Sequence, residues 1–170
     1  RRFEHVEIRK YPRMVVARVD GYGDSGFNFL FRFISGQNNQ NLKVAMTAPV
    51  VSENIAMTAP VLSGESSIAF VMPKNYALES TPHPTDERVK IAEYPPGYVA
   101  ALRFSGRWTR KAFERRSKEM LDELKRVGVA TRSDIFFMRY NSPFSPWFMR
   151  RNEVAIVVAW QEEDELPERG

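Results

Sequence analysis

VEIRKYPRMVVARVDG, Val6 to Gly21, returns later in the chain as VKIAEYPPGYVAALRFSG, Val89 to Gly106. Val6 matches Val89, Ile8 matches Ile91, Tyr11 matches Tyr94 and Pro12 matches Pro95, all at a spacing of 89 − 6 = 83. With two residues inserted, Arg18 then matches Arg103 and Gly21 matches Gly106. Both copies are rich in the β-branched residues that suit a half-buried sheet, and each carries a proline that marks a bend or an edge between two strands. A helical pattern follows each copy. GDSGFNFLFRFISG, Gly23 to Gly36, has Asp24 or Ser25 near its start and Gly36 at its end. After the second copy, Thr109 caps a run in which Phe113, Met120, Leu121, Leu124 and Val127 recur at i, i+7, i+8, i+11 and i+14, and Gly128 ends it. SSIAFVMP, Ser66 to Pro73, parallels SDIFFMRY, Ser133 to Tyr140, and NEVAIVVAW supplies a last strand.

Strand, strand, helix, strand is therefore stated twice, with STPHPTDE, Ser80 to Glu87, as the seam. The expected class is α+β, with two similar halves completing one sheet or barrel. We read residues 1–170 as one domain, with halves of about 1–84 and 85–165 and a tail over 161–170.

The bulk composition narrows the function. At 170 residues and 43% hydrophobic, a single core can bury roughly two-thirds of what the unfolded chain exposes. Apolar runs such as Val154 to Trp160 are far short of the ~18 residues a membrane span needs, so a soluble chain is expected, with cytoplasm the default compartment. Arg1 and Arg2 are also compatible with the stump of a removed leader. The absence of cysteine excludes disulfides, thiolate metal sites and cysteine nucleophiles, and the two histidines, His5 and His83, leave little for zinc. The net charge of +4 is spread among acids, as in TRKAFERRSKEMLDELKR, which reads as a solvated helix face and not as a nucleic-acid surface. The sequence contains no Ser/His/Asp set, paired-carboxylate signature or phosphate loop, so catalysis is not expected.

A shorter repeat lies inside the first half. AMTAPV begins at Ala45 and again at Ala56, 56 − 45 = 11 residues on. Its alanines permit close approach, its prolines belong on edges or bulges, and Met46 and Met57 are flexible apolar fillers, with an iron-ligand role as the alternative. The expectation is a pair of strand segments with Ser52 to Asn54 turning the chain between them. The doubled AMTAPV is followed by FVMP at Phe70 to Pro73, FSGRW at Phe104 to Trp108, and YNSPFSPWFMRRNEV at Tyr140 to Val154. Over about Phe3 to Trp160 the chain thereby resembles the SOUL haem-binding family, and most of all its bacterial and archaeal members. The resemblance implies a pseudo-twofold distorted antiparallel β-barrel flanked by two helices and like that of effector-binding domains. It further implies non-catalytic binding of haem or a related tetrapyrrole in a shallow apolar groove beside the first helix.

That helix supports a candidate groove. Phe27, Leu30, Phe31 and Ile34 cluster on one face and Phe29 and Phe33 widen it to an apolar arc of about 200°, against the ≳100° a core-facing stripe needs. Asn28, Arg32 and Ser35 face water. The candidate groove residues are Phe27, Phe31, Arg32, Ile34, Met46, Met57, Phe144, Trp147 and Phe148. The axial ligand to any haem iron is left unassigned, since His5 and His83 both read as surface residues. The resemblance would put a basic residue at the helix start and another before RRNEV, where this chain has Asp24 and Ser145. Arg32, Arg139, Arg150 and Arg151 are the cations that could replace them for propionates. RRNEV itself reads as a structural tie between halves through charge-assisted hydrogen bonds. Two other functions fit the same residues: an effector-binding-like module for other planar aromatic molecules, and an interaction module whose exposed phenylalanines meet a partner chain.

Overall fold

The computed structural model describes residues 1–22, 25–46, 50–54, 66–107, 109–140 and 151–161. The first half supplies β1 (Val6–Tyr11), β2 (Met14–Asp20), α1 (Gly26–Ile34), β3 (Val50–Asn54) and β4 (Ser66–Val71). The second half supplies β5 (Val89–Tyr94), β6 (Gly97–Ser105), α2 (Arg110–Arg126), β7 (Ala130–Thr131), β8 (Phe136–Arg139) and β9 (Arg151–Ala159). All strands join one antiparallel sheet in the order β1-β6-β9-β8-β3-β4-β2-β5, with the short β7 also on β9.

That order reads the same from both ends once β1 is exchanged for β5, β6 for β2, β9 for β4 and β8 for β3. The duplication is therefore built into the topology, and β1 and β5 each pair into the half to which they do not belong in sequence. The register locates the axis. Arg18 pairs with Ala69 as its counterpart Arg103 pairs with Glu153; Ala69 pairs with Val51 and Glu153 with Met138. Val51 and Met138 are thus equivalent, and they pair with each other, as residues on a twofold axis do.

Three expectations change. SDIFFMRY contains β8, whose counterpart is β3 and not the β4 of SSIAFVMP; β4 corresponds to β9, because paired position and not residue likeness defines equivalence. Ser52 to Asn54 do not turn the chain but extend β3 against Ile68 to Ser66. The barrel is not closed: β1 and β5 are the outer strands and do not pair with one another, although Arg1 and Phe3 bond back onto β1 at Ile8 and Val6. The first AMTAPV copy enters β3 only at Val50, and the second copy lies outside the described residues.

Strand alternation separates two faces. On one, α1 packs Leu30, Phe33 and Ile34 onto Val15, Ile68, Phe70 and Val89. On the same face, α2 packs Met120 and Leu124 onto Val6, Leu102, Phe137, Val154 and Ile156. Thr109 caps α2 as expected, accepting from the Ala112 amide, whereas Leu121 is 39% exposed because it lies off the buried stripe. The opposite face carries smaller residues: Val16, Val51, Ala69, Val99, Ala101, Met138 and Ala155.

Gly26 opens α1 where the helix touches the sheet. A Cβ there would lie 2.7 Å from Ile68 Cγ2 and 3.2 Å from Val19 Cγ1, both short branches of buried side chains. Gly26→Ala is therefore expected to cost about 1–3 kcal/mol through overpacking, read as a lower urea midpoint.

Candidate functional site

On α1 the structure divides the predicted groove residues. Ile34 is 6% exposed and belongs to the same buried core as Phe33 and Val44, so it does not line a groove. Phe29 is half-buried, with the Arg88 guanidinium 3.8 Å above its ring and Tyr22 edge-on at 5.2 Å. Phe27 packs edge-on against Phe70 and stacks on Phe31 at 6.2 Å with an interplanar angle of 12°. Phe31 is 50% exposed, so it faces water beside Arg32. Met46 is also exposed. Around the end of the helix, the depression beside Arg32 is shallow and polar, edged by Gln37, Asn38, Asp86 and Arg88. Met57, Phe144, Trp147 and Phe148 lie outside the described residues, as do Arg150, Asp24 and Ser145.

A better-formed cavity lies on the face away from the helices. It has a volume of about 520 Å³ and sits on the twofold axis, with Val51 and Met138 in its lining. Met14, Val71, Val99 and Val157 extend the apolar surface. The two strand connections supply Tyr11 with its β6 partner Gly97, and Tyr94, Pro95 and Pro96, and Ser133 to Phe136 supplies the remaining wall. The volume is in the range of small-molecule sites, and few polar groups interrupt the apolar walls. Of the predicted groove residues that are described, Phe27, Phe31, Arg32, Ile34 and Met46, none lines it. The signal in the sequence was the repeat itself, because Tyr11 and Tyr94 are the matched tyrosines of the two copies.

Beside the cleft lies a buried charge network. Arg9 donates from Nη1 to Glu153 Oε2 at 2.7 Å and from Nη2 to Glu153 Oε1 at 3.0 Å, and also binds Glu7 at 2.7 Å. Arg151 donates from Nη2 to Glu153 Oε1 at 2.8 Å, and its guanidinium lies 4.2 Å over the Tyr140 ring. Glu153 is completely buried. Arg9 on β1 is thereby tied to β9 of the other half, the role expected of RRNEV. Burial alone would push the Glu153 carboxyl up, but hydrogen bonds from Arg9 and Arg151 outweigh it and hold the group below its ordinary value. The Arg9 guanidinium is correspondingly pushed up by Glu153, against burial. Tyr140 is pushed up by burial first and then by contact with Tyr11 and Glu153, so it stays protonated.

Because the folded state lowers the Glu153 pKa, its contribution to stability is complete above the ordinary glutamate value of 4.5 and is lost as pH falls through the lowered value. Urea midpoints are expected to drop between pH 6 and pH 3. Glu153→Gln, which cannot titrate, should flatten that part of the profile.

The duplication supplies an internal control for this network. By paired position Glu153 corresponds to Ala69 and Arg151 to Ser67, small residues in the other half, whereas Arg9 pairs with Val99 as Tyr94 pairs with Met14, so the sequence-matched Ala92 is not its counterpart in the sheet. On that side the polar contact is different: Arg18 donates to the Tyr94 hydroxyl at 3.2 Å and to Asp20 at 2.6 Å.

His5 is mostly exposed beside Glu4, and the His83 amide is held by Asn39 Oδ1; neither lines the cleft. Among the described residues, no group of three or more His, Cys, Asp or Glu side chains is placed to hold a metal ion. In the same residues no helix is long and apolar enough to cross a membrane.

Comparison with known proteins gives one family match and a set of structural likenesses. The family model described as SOUL heme-binding protein matches residues 1–157. Curated protein sequences give no match. A hydrolase from Listeria innocua is 11% identical, with a TM-score of 0.61 and coverage of 91% of both chains. The C-terminal domain of EcmrR is 8% identical at a TM-score of 0.64, over 91% of this chain and 96% of that one. SAV2435 bound to tetraphenylphosphonium is 10% identical at a TM-score of 0.52, over 94% of this chain and 97% of that one. At these identities the likeness is one of fold.

Proposed function

The chain belongs to the SOUL heme-binding protein family, and on that premise we propose that it binds haem or a related tetrapyrrole without catalysing a reaction. We place the ligand in the central cleft and not on the flank of α1. The observation that carries this reading is the 520 Å³ apolar cleft on the twofold axis, walled by tyrosines, prolines and Phe136. A flat macrocycle buries more of its surface between such walls than on an exposed helix face, and burial of apolar area is its main source of affinity. Support also comes from the fold of SAV2435, which holds a bulky aromatic molecule, tetraphenylphosphonium.

The residues fit the group. Val51, Val99, Met138 and Val157 offer apolar contact to the ring, and the Tyr11 and Tyr94 hydroxyls offer polar contact to its substituents. Bound haem would supply an iron centre, for which Met14, Met138 and the tyrosines are the ligand types available in the cleft. The chain's own part is to exclude water from the ring and fix its orientation.

One observation favours the flank as a second reading: Phe27 and Phe31 are stacked, and Phe31 is half exposed beside Arg32. Haem titration of the purified protein tests the function itself. The expected result is a saturable Soret shift at about 1:1, as one cleft on one axis requires. Unsaturable binding equal to that of an unrelated basic protein would overturn it. A rise in melting temperature with tetraphenylphosphonium but not with haem would favour the effector-like alternative.

A further inference from the structure

We propose that Ser133 is a positioning residue for the ligand of the central cleft: its hydroxyl latches a bulged wall, residues 132–135, against β9, and the latch sets how long the ligand stays. This rests on the tetrapyrrole reading above and names the part of the site that retains the ring.

The wall is a break in one long strand pairing. Thr131 of β7 pairs with Val158 and Phe136 of β8 pairs with Ala155, so Arg132, Ser133, Asp134 and Ile135 face only Ile156 and Val157. Two surplus residues cannot lie flat in the ladder, and the chain leaves the sheet as a bulge. The bulge meets the cleft, which Ser133, Asp134 and Ile135 all line.

In an unbroken antiparallel ladder Val157 would exchange both backbone bonds with the residue opposite. Here one survives between backbones, from the Arg132 N–H to Val157 O at 2.7 Å. The other is made by a side chain. The Val157 N–H donates to Ser133 Oγ at 3.0 Å, and that hydroxyl donates in turn to the Asp134 carbonyl at 2.8 Å. One hydroxyl thus closes the ladder and fixes the bulge. The repeat shows that the fold does not demand it: since Glu153 corresponds to Ala69, Val157 corresponds to Pro73, which has no N–H to satisfy.

The other walls cannot give way so locally. Apart from the bulge and from Pro95 and Pro96, whose rings fix the backbone, every lining residue lies in a strand of the sheet. Residues 130–134 are exposed, and the far end of the bulge is anchored by Ile135 on the core of Met120 and Leu124. Releasing Ser133 Oγ from Val157 therefore frees one side of the cleft and leaves the core packed, the kind of local opening that costs little.

The test measures haem dissociation, by capture in excess apomyoglobin, and hydrogen exchange of the Val157 amide in the free protein. Ser133→Ala is expected to speed both by about threefold to tenfold, the range of one lost hydrogen bond. Ser133→Thr keeps the hydroxyl and should restore both to within about twofold. Gly26→Ala, which strains the core under α1, should leave haem dissociation within about twofold of wild type. Unchanged haem dissociation or unchanged Val157 exchange in Ser133→Ala would overturn the inference. So would equal acceleration of haem loss by Gly26→Ala, because global instability would then be the cause. If haem does not bind the wild type saturably, the tetrapyrrole reading fails and takes this inference with it; a failed latch in a wild type that binds haem leaves that reading standing.

Discussion

Glu153→Ala is expected to destabilise the protein by about 3–5 kcal/mol, the usual cost of breaking a buried ion pair by removing one partner. The carboxylate is fully buried and receives both nitrogens of the Arg9 fork as well as Arg151. Without it, Arg9, whose side chain is 21% exposed, keeps only Glu7 as a charged partner, and its charge lies beside β6 and β9 with little water to take over. The loss should appear as a lower urea midpoint with an unchanged slope, since packing elsewhere is untouched. The duplication makes the complementary experiment specific. Replacing all three members together, Arg9→Ala, Glu153→Ala and Arg151→Ser, removes every charge that meets Glu153 and leaves at 153 and 151 the small residues that Ala69 and Ser67 supply in the other half. That triple variant is expected to be less destabilised than Glu153→Ala, because no charge is left buried without its partner and only the cost of the space left behind remains. A triple variant as unstable as Glu153→Ala would show that lost packing, and not an unpaired charge, sets the cost.

Gly97→Trp is expected to reduce tetrapyrrole affinity by at least about a hundredfold, since a blocked pocket forfeits the apolar burial that drives binding. Gly97 lines the cleft opposite Tyr11 in the β1–β6 ladder, and a Cβ built there meets no heavy atom within 4 Å. An indole at this position therefore enters the space that the ligand needs without first displacing core atoms. Its backbone is not in the left-handed region, so no strain accompanies the change. Stability should stay within about 0.5 kcal/mol, as for substitutions away from packed features, and a melting curve checks it. Phe31→Ala removes the exposed ring of α1 and is expected to change the same affinity by less than about threefold, an energy below that of one modest contact.

Much of the fold was legible because duplication writes the same pattern twice. Val6 to Gly21 and Val89 to Gly106 identify the paired strands, and the glycines and Thr109 punctuate the helices where the structure has them. Strand equivalence was harder. Phe70 and Phe137 look alike in SSIAFVMP and SDIFFMRY, but position in a sheet follows from pairing across the chain, and local residue patterns carry no record of that. Closure was likewise invisible, since whether β1 meets β5 depends on how far the sheet curls. The cleft escaped for a related reason. It is assembled from single residues of many strands, such as Val51, Val99 and Met138, each an ordinary member of a strand pattern. The α1 phenylalanines drew attention because they cluster in sequence, yet Phe33 and Ile34 are core and Phe27 leans on Phe70.

The position of the ligand is tested most directly by nuclear magnetic resonance, through the ring-current shifts that metal-free protoporphyrin imposes on neighbouring backbone amides and methyl groups. With the macrocycle in the central cleft, the largest shifts should fall on Val51, Val99, Met138 and Val157, which line it from β3, β6, β8 and β9. Shifts concentrated on Phe27, Phe31 and Arg32 of α1, with those four residues unmoved, would contradict the account.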